Sequence, residues 1–298
     1  MRRILVIGGA GQVGHELLKT LAPLGEVTGM TRADVDLADG PALTAALQRH
    51  DPEVLINAAA YTAVDKAETD AAAAFAVNAR APQLMAEWAA RHGRPLIHYS
   101  TDYVYGGTGD MPQREDQPPA PASVYGQSKL AGDQAVLAAC PQALILRTSW
   151  VYGARGRNFM LTMLALAEQR PELRVVADQY GAPTPAWLIA QVSAVALRDK
   201  LADRPGLAGV FHLACRGETS WHGFAREIIR CAAARGQALA LDEGQVKAIA
   251  TSEYPAPAPR PANSRLAVGL IEQTLGLRMP DWQTGLGITL AEMQGGTQ

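Results

Sequence analysis

Short apolar runs alternate with longer amphipathic stretches through the first half of the chain. Arg3–Gly8, Glu26–Met30, Glu53–Asn57, Leu96–Ser100 and Ala143–Thr148 are five or six residues long and rich in leucine and β-branched side chains. Runs of that length predict strands, with Arg3–Gly8 and Leu96–Ser100 read as buried and Glu26–Met30 as the weaker pattern. Helical patterns separate them, from about Gln12 to Leu21, Pro41 to His50 and Ala67 to His92. The third is alanine-rich and is expected to break near Pro82, which lacks a backbone donor. Another begins at Ser123, with Val124, Leu130 and Val136 at apolar positions. Strand, helix and strand in alternation predict an α/β fold, a doubly wound, Rossmann-like parallel sheet.

Beyond Tyr152 the pattern loosens. Helices are expected near Asn158–Glu168, Pro185–Asp199 and Trp221–Arg235, and strands near Arg174–Ala177 and Val210–Ala214. Those strands are expected to return to the main sheet, while Tyr254–Pro261 reads as an extended segment. The division that follows is a dinucleotide-binding domain over 1–150 and a smaller substrate lobe over 151–298. Gly106–Pro121 is a loop rich in glycine and proline, long enough to border a site.

Charge and composition narrow the partners. The 27 basic and 29 acidic residues leave a net charge of −2, so no basic field for nucleic acid or an anionic membrane is implied. Cys140, Cys215 and Cys231 are far apart and lack metal-ligand spacing. They read as reduced packing residues in a cytoplasmic protein. A strand almost at the start leaves no room for a signal peptide, and no apolar run is long enough to span a bilayer.

Gly8-Gly-Ala-Gly-Gln-Val-Gly14 follows the first strand and opens a helix. Gly8, Gly11 and Gly14 permit a tight turn and close approach of backbone to a pyrophosphate at the helix amino end. An acidic residue at the end of the second strand would favour NAD, yet Thr31-Arg32 stands there. Arg32 can meet a 2′-phosphate or lie solvated, which modestly favours NADPH over NADH. Asp36 and Leu37 are placed to line the adenine pocket. The small residues Ala58–Ala60 either let a cofactor approach the third strand or simply pack. Asn78, in the alanine-rich helix, either ties backbone to the active-site strand or is plain polar surface.

Candidate chemistry centres on Tyr125 and Lys129. Four apart on one helix, they bring an ammonium beside a phenol, and a fixed positive charge lowers a tyrosine pKa. Tyr125 is thus the expected acid/base group, and Thr101 delivers a hydroxyl at the carboxyl end of the fourth strand. Combined with the glycine turn, this describes hydride transfer at a carbinol carbon. Trp150 either packs on a sugar face or belongs to the core. Arg260 and Arg265 either bind a diphosphate or form structural ion pairs.

Gly8–Gly14, Asn57–Ala60, His98–Tyr103 and Tyr125-x-x-x-Lys129 resemble the extended short-chain dehydrogenase/reductases. Thr62–Glu68, Arg147–Tyr152, Asp178–Thr184 and Arg260–Leu266 narrow the resemblance, nearly end to end, to the dTDP-4-dehydrorhamnose reductase family. That resemblance implies NAD(P)H-dependent reduction of the C4 ketone of a dTDP-4-dehydro-sugar. It implies Tyr125 as proton donor, Lys129 on the nicotinamide ribose and Thr101 on the reacting oxygen. Gly11, Gln12 and Val13 match the family's pyrophosphate turn. Asp36, Leu37, Ala60, Tyr61, Thr62 and Tyr99 match its cofactor-lining positions, and Asp102 and Trp150 stand beside its sugar. Val64 and Asp65, next to the cofactor loop, are further candidates for the sugar pocket.

Some members of the family are dimers bridged by Mg²⁺ on glutamates. Glu16 and Glu292 match two ligand positions, but the third falls on Trp187, which offers no oxygen. The resemblance therefore leaves room for a homodimer and argues against a metal bridge. Rival readings are a nucleotide-sugar epimerase and a non-catalytic regulatory subunit. A dehydratase would need a glutamate where Tyr103 follows Asp102.

Overall fold

In β1 (Arg3–Ile7), Ile4 and Val6 enter one apolar layer while Leu5 and Ile7 enter the other, as the strand's period of two requires. The computed structural model describes residues 1–295. α1 (Gln12–Thr20), β2 (Glu26–Met30), α2 (Gly40–His50) and β3 (Val54–Asn57) complete the first units. α3 (Val64–Ala67), α4 (Ala71–Phe75) and α5 (Ala81–Arg91) lead to β4 (Leu96–Thr101), α6 (Val124–Ala139) and β5 (Leu144–Thr148). The second half runs β6 (Val151–Tyr152), α7 (Phe159–Ala167), β7 (Leu173–Val176), β8 (Tyr180–Gly181), β9 (Thr184–Pro185), α8 (Ala186–Leu201) and β10 (Gly209–His212). It ends with β11 (Thr219–Ser220), α9 (Trp221–Ala234), β12 (Val246–Ile249), α10 (Gly269–Leu275) and α11 (Trp282–Gly295).

The main sheet has six parallel strands in the order β2-β1-β3-β4-β5-β10. Chain order reverses at β1, which opens a crevice outside the carboxyl ends of the strands. One apolar layer, containing Leu43, Leu47, Leu55 and Trp88, covers one face. The other continues from Ile4 and Leu17 through Leu146 and Ile189 to Phe224 and Leu290, so it joins residues from both halves of the chain. Each fully buried leucine contributes about 1.5–3 kcal/mol. Among the described residues no helix is long and apolar enough to cross a membrane.

Two expectations need correction. The strand near 174–177 does not return to the main sheet: β7 pairs in parallel with β12, and only β10 joins β5. The helix expected over Ala67–His92 is interrupted at Glu68–Asp70, and it widens into a π-type segment at Ala76–Arg80 rather than breaking at Pro82. Pro82 has no N–H for the carbonyl of Asn78, four residues earlier. The wider turn accommodates that loss, and Gly132 of α6 packs so closely on the Asn78 carbonyl that a Cβ there would lie 2.0 Å away.

Candidate active site

The glycine turn leaves β1 at Gly8, with φ +88°. A Cβ at Gly8 would lie 2.7 Å from the Ala59 nitrogen, and one at Gly14 would lie 2.1 Å from the Gly8 carbonyl. Gly11 caps α1 and brings no side chain to its first amides, so the helix start is free for an anion. These close approaches make a backbone cradle that fits a pyrophosphate. Beside it a cleft of about 270 Å³ gathers Gly8, Arg32, Asp36, Leu37, Ala60 and Tyr61. Lys66 and Asp70 line it too, and the sequence reading missed both. The signal for Lys66 was its place in the Thr62–Glu68 run, where Thr62, Val64 and Asp65 drew attention.

Other expected cofactor residues face elsewhere. Gln12 Oε1 accepts from Asn158 Nδ2 at 2.9 Å, and Val13 packs against the core. The Thr62 carbonyl accepts from Val64 N at 2.9 Å. Tyr99 turns its phenol to Ser193, 2.6 Å away, and only its carbonyl faces the catalytic helix. Asn78 is buried, accepting from Tyr61 N (2.8 Å) and donating to Ser128 Oγ on α6 (3.0 Å). It couples the cofactor loop to that helix.

Ser123 caps α6 by accepting from Gly126 N at 3.1 Å, and Glu68 accepts from Val124 N at 2.9 Å. The helix thus starts at a defined point and carries Tyr125 and Lys129 inward, both buried. Thr101, next to Tyr125, donates from Oγ1 to Asp102 Oδ1 at 3.1 Å. Burial pushes the Tyr125 phenol above its ordinary value, against the help of Thr101. The expectation that Lys129 would lower it is therefore not met: Lys129 Nζ donates to the Tyr99 carbonyl at 2.6 Å. Burial brings Lys129 itself down to about 8, opposed by the Asp133 charge. Asp102 is pushed up to about 6 by burial, with Ser264 and Thr101 hydrogen bonds pulling it back.

A second cavity, of about 480 Å³, lies on the other side of this group. Tyr103, edge-on to Tyr125 with ring centroids 5.4 Å apart, forms part of its wall. Arg174, Gln179, Trp221, Tyr254 and Arg260 line it as well. Arg260 Nη2 donates to Asp65 Oδ2 at 2.7 Å, and Asp65 Oδ1 accepts from Ala258 N at 3.2 Å. Val64 packs with Tyr61, Tyr103 and Tyr125.

Trp150 and Arg265 do not face that cavity. Trp150, in a left-handed conformation (φ +48°), stacks on Trp221, while Gly181 lies against the ring-fusion atoms from the opposite face. Arg265 donates to Glu218 Oε2 and Asn263 Oδ1, each at 2.8 Å, and lines a different cleft with Arg216 and Glu272. Trp221, Phe159 and Arg174 were not singled out from sequence, because nothing local tells a helix-start tryptophan from a core one. Trp187, which the resemblance aligns with a metal-ligand position, donates to Thr289 Oγ1 at 3.1 Å, and Glu16 pairs with Lys19 at 2.6 Å.

A glycine cradle at the sheet's switch point and a buried Thr-Tyr-Lys group carried by the end of β4 and the first turns of α6 define an extended short-chain dehydrogenase/reductase. The chain belongs to the family described as the RmlD substrate binding domain, which matches residues 1–295. It is 44% identical over 294 residues to a dTDP-4-dehydrorhamnose reductase of Burkholderia thailandensis, covering 98% of this chain and 99% of that one. A crystal structure of a dTDP-4-dehydrorhamnose reductase from Clostridium acetobutylicum superposes with a TM-score of 0.90 at 35% identity, covering 99% of this chain and all of the other. One from Bacillus anthracis, in complex with NADP, gives 0.87 at 32% identity, covering 98% and 100%.

Proposed function

We propose that this chain reduces the C4 ketone of dTDP-4-dehydro-β-L-rhamnose to dTDP-L-rhamnose, using NADPH or NADH. The observation that carries this reading is the place of Tyr125. It packs in one cluster with Tyr61, which lines the smaller cleft, and Tyr103, which lines the larger cavity. A proton donor there would stand beside the walls of both sites.

The glycine cradle and the cleft of Arg32, Asp36 and Tyr61 would hold the dinucleotide, which supplies a hydride when bound. Tyr125 holds the proton that the ketone oxygen needs at its Oη, and the Thr101 hydroxyl orients that oxygen. Lys129, once freed from the Tyr99 carbonyl, would hold the cofactor's ribose and supply the positive charge that steadies a phenolate. Arg260 and Arg174 give the larger cavity cationic donors suited to a diphosphate. The larger cavity is lined mainly by residues after 151, which supports the substrate-lobe reading of that half. Cys140, Cys215 and Cys231 are buried free thiols, consistent with a reducing, cytoplasmic setting.

The test is to supply the dTDP-4-dehydro-sugar with NADPH or NADH, follow reduced-cofactor absorbance and identify the product. One cofactor oxidised per dTDP-L-rhamnose formed supports the reading. A protein that binds NADPH yet consumes none would overturn it.

A further inference from the structure

Beneath Lys129 lies a charged group to which the reaction assigns no part. Asp133 stands one helical turn further along α6 and is buried, as are Lys129 and Arg147. Its Oδ2 accepts from Arg147 Nε of β5 at 3.0 Å. Its Oδ1 has no hydrogen-bond partner and faces His98 Nε2 of β4 at 3.9 Å. Asn57 Nδ2 lies 3.0 Å from His98 Nδ1, which leaves the histidine proton on Nε2, directed at Asp133. Arg147 Nη1 in turn donates to the Tyr105 hydroxyl at 2.7 Å. Burying a cation alone is costly, so each ammonium or guanidinium here depends on the single carboxylate.

We infer that Asp133 is a positioning residue for the reduction: held by Arg147 one helical turn from Lys129, its buried carboxylate is the counter-charge that keeps the Lys129 ammonium charged. The inference rests on the proposed reductase reading for its activity readout. The groups facing Lys129 and Asp133 are Tyr125 on the same helix, His98 and the Tyr99 carbonyl on β4, Arg147 on β5 and Tyr105 beyond β4. His98 is neutral, held well below its ordinary value by burial and by the Lys129 charge, so Asp133 is the only anion among them. Burial opposes the Lys129 ammonium and the Asp133 charge supports it.

The experiment follows NADPH binding by fluorescence and kcat as a function of pH in the wild-type enzyme, Asp133→Asn and Asp133→Glu. The ammonium is present below the Lys129 pKa and lost above it. Removing the carboxylate lowers that pKa, so the alkaline loss of NADPH binding and of kcat should move down by about one pH unit or more in Asp133→Asn. Asp133→Glu, which restores the charge, should return it towards the wild-type position. Arg147→Met, which removes the competing cation, should move the loss upward, and it carries the test where Asp133→Asn does not fold. Opposite movements are not what a packing role produces. An unchanged alkaline midpoint in a folded Asp133→Asn or Arg147→Met enzyme would overturn the inference. Because binding is read without turnover, a chain that binds NADPH but reduces no dTDP-sugar refutes the reductase reading alone.

Discussion

The indole of Trp150 lies 3.6 Å from that of Trp221 at an interplanar angle of 12°, with Gly181 against its other face. Trp221 is thereby fixed as part of the cavity wall, and Phe159 packs against it at 4.6 Å. A methyl at Gly181 would meet the Trp150 ring at 2.6 Å. Gly181→Ala should therefore destabilise the protein by about 1–3 kcal/mol, as overpacking does. It should also raise KM for the dTDP-sugar while leaving NADPH affinity unchanged, which urea unfolding and steady-state kinetics will check.

Tyr125→Phe removes the hydroxyl and keeps the ring that packs on Tyr103. Turnover should fall by about two to four powers of ten, with NADPH binding retained. Near-normal kcat would show that another group delivers the proton.

Arg32 lines the dinucleotide cleft, and Thr31 beside it is engaged by Asp34, whose Oδ2 accepts from both the Thr31 amide and hydroxyl. Arg32→Ala should raise KM for NADPH about tenfold or more, the worth of one charge-assisted hydrogen bond, and KM for NADH far less. Equal changes for the two cofactors would remove the 2′-phosphate role.

These variants also mark how far sequence alone reaches. Four of the five early strands and the glycine turn were legible because burial on both faces and a positive φ leave local signatures, whereas the edge strand β2 is half exposed and its signal was weaker. The pairing of β7 with β12 was not, since it joins Leu173 to Val246 and no local pattern encodes so distant a partner. Pro82 pointed to an irregularity, but its effect falls four residues earlier, on the carbonyl it leaves unbonded. Tyr125 and Lys129 were found by spacing. Their electrostatics were misjudged, because burial and the Tyr99 carbonyl outweigh proximity in this structure.

Asp102 offers a pH test. Its folded pKa of about 6 lies above the ordinary carboxylate value, so the folded state holds a proton the unfolded chain has lost. Stability contributed at Asp102 is then greatest in acid and falls as pH rises from about 4 to 6. Asp102→Asn should abolish that fall and leave the protein more stable at pH 7, by on the order of 2 kcal/mol. Unfolding free energies at pH 4.5 and 7 for both proteins are the check, and a parallel pH dependence would refute it.

The clasp of Asp65 on Ala258 and Arg260 joins parts of the chain 193 and 195 residues apart. The larger cavity is therefore a late product of folding: neither half of the polypeptide, nor a nascent chain still lacking its last forty residues, possesses it. A ligand seated there reports that the whole molecule has been assembled, and its binding energy is spread over the global unfolding equilibrium rather than over one lobe.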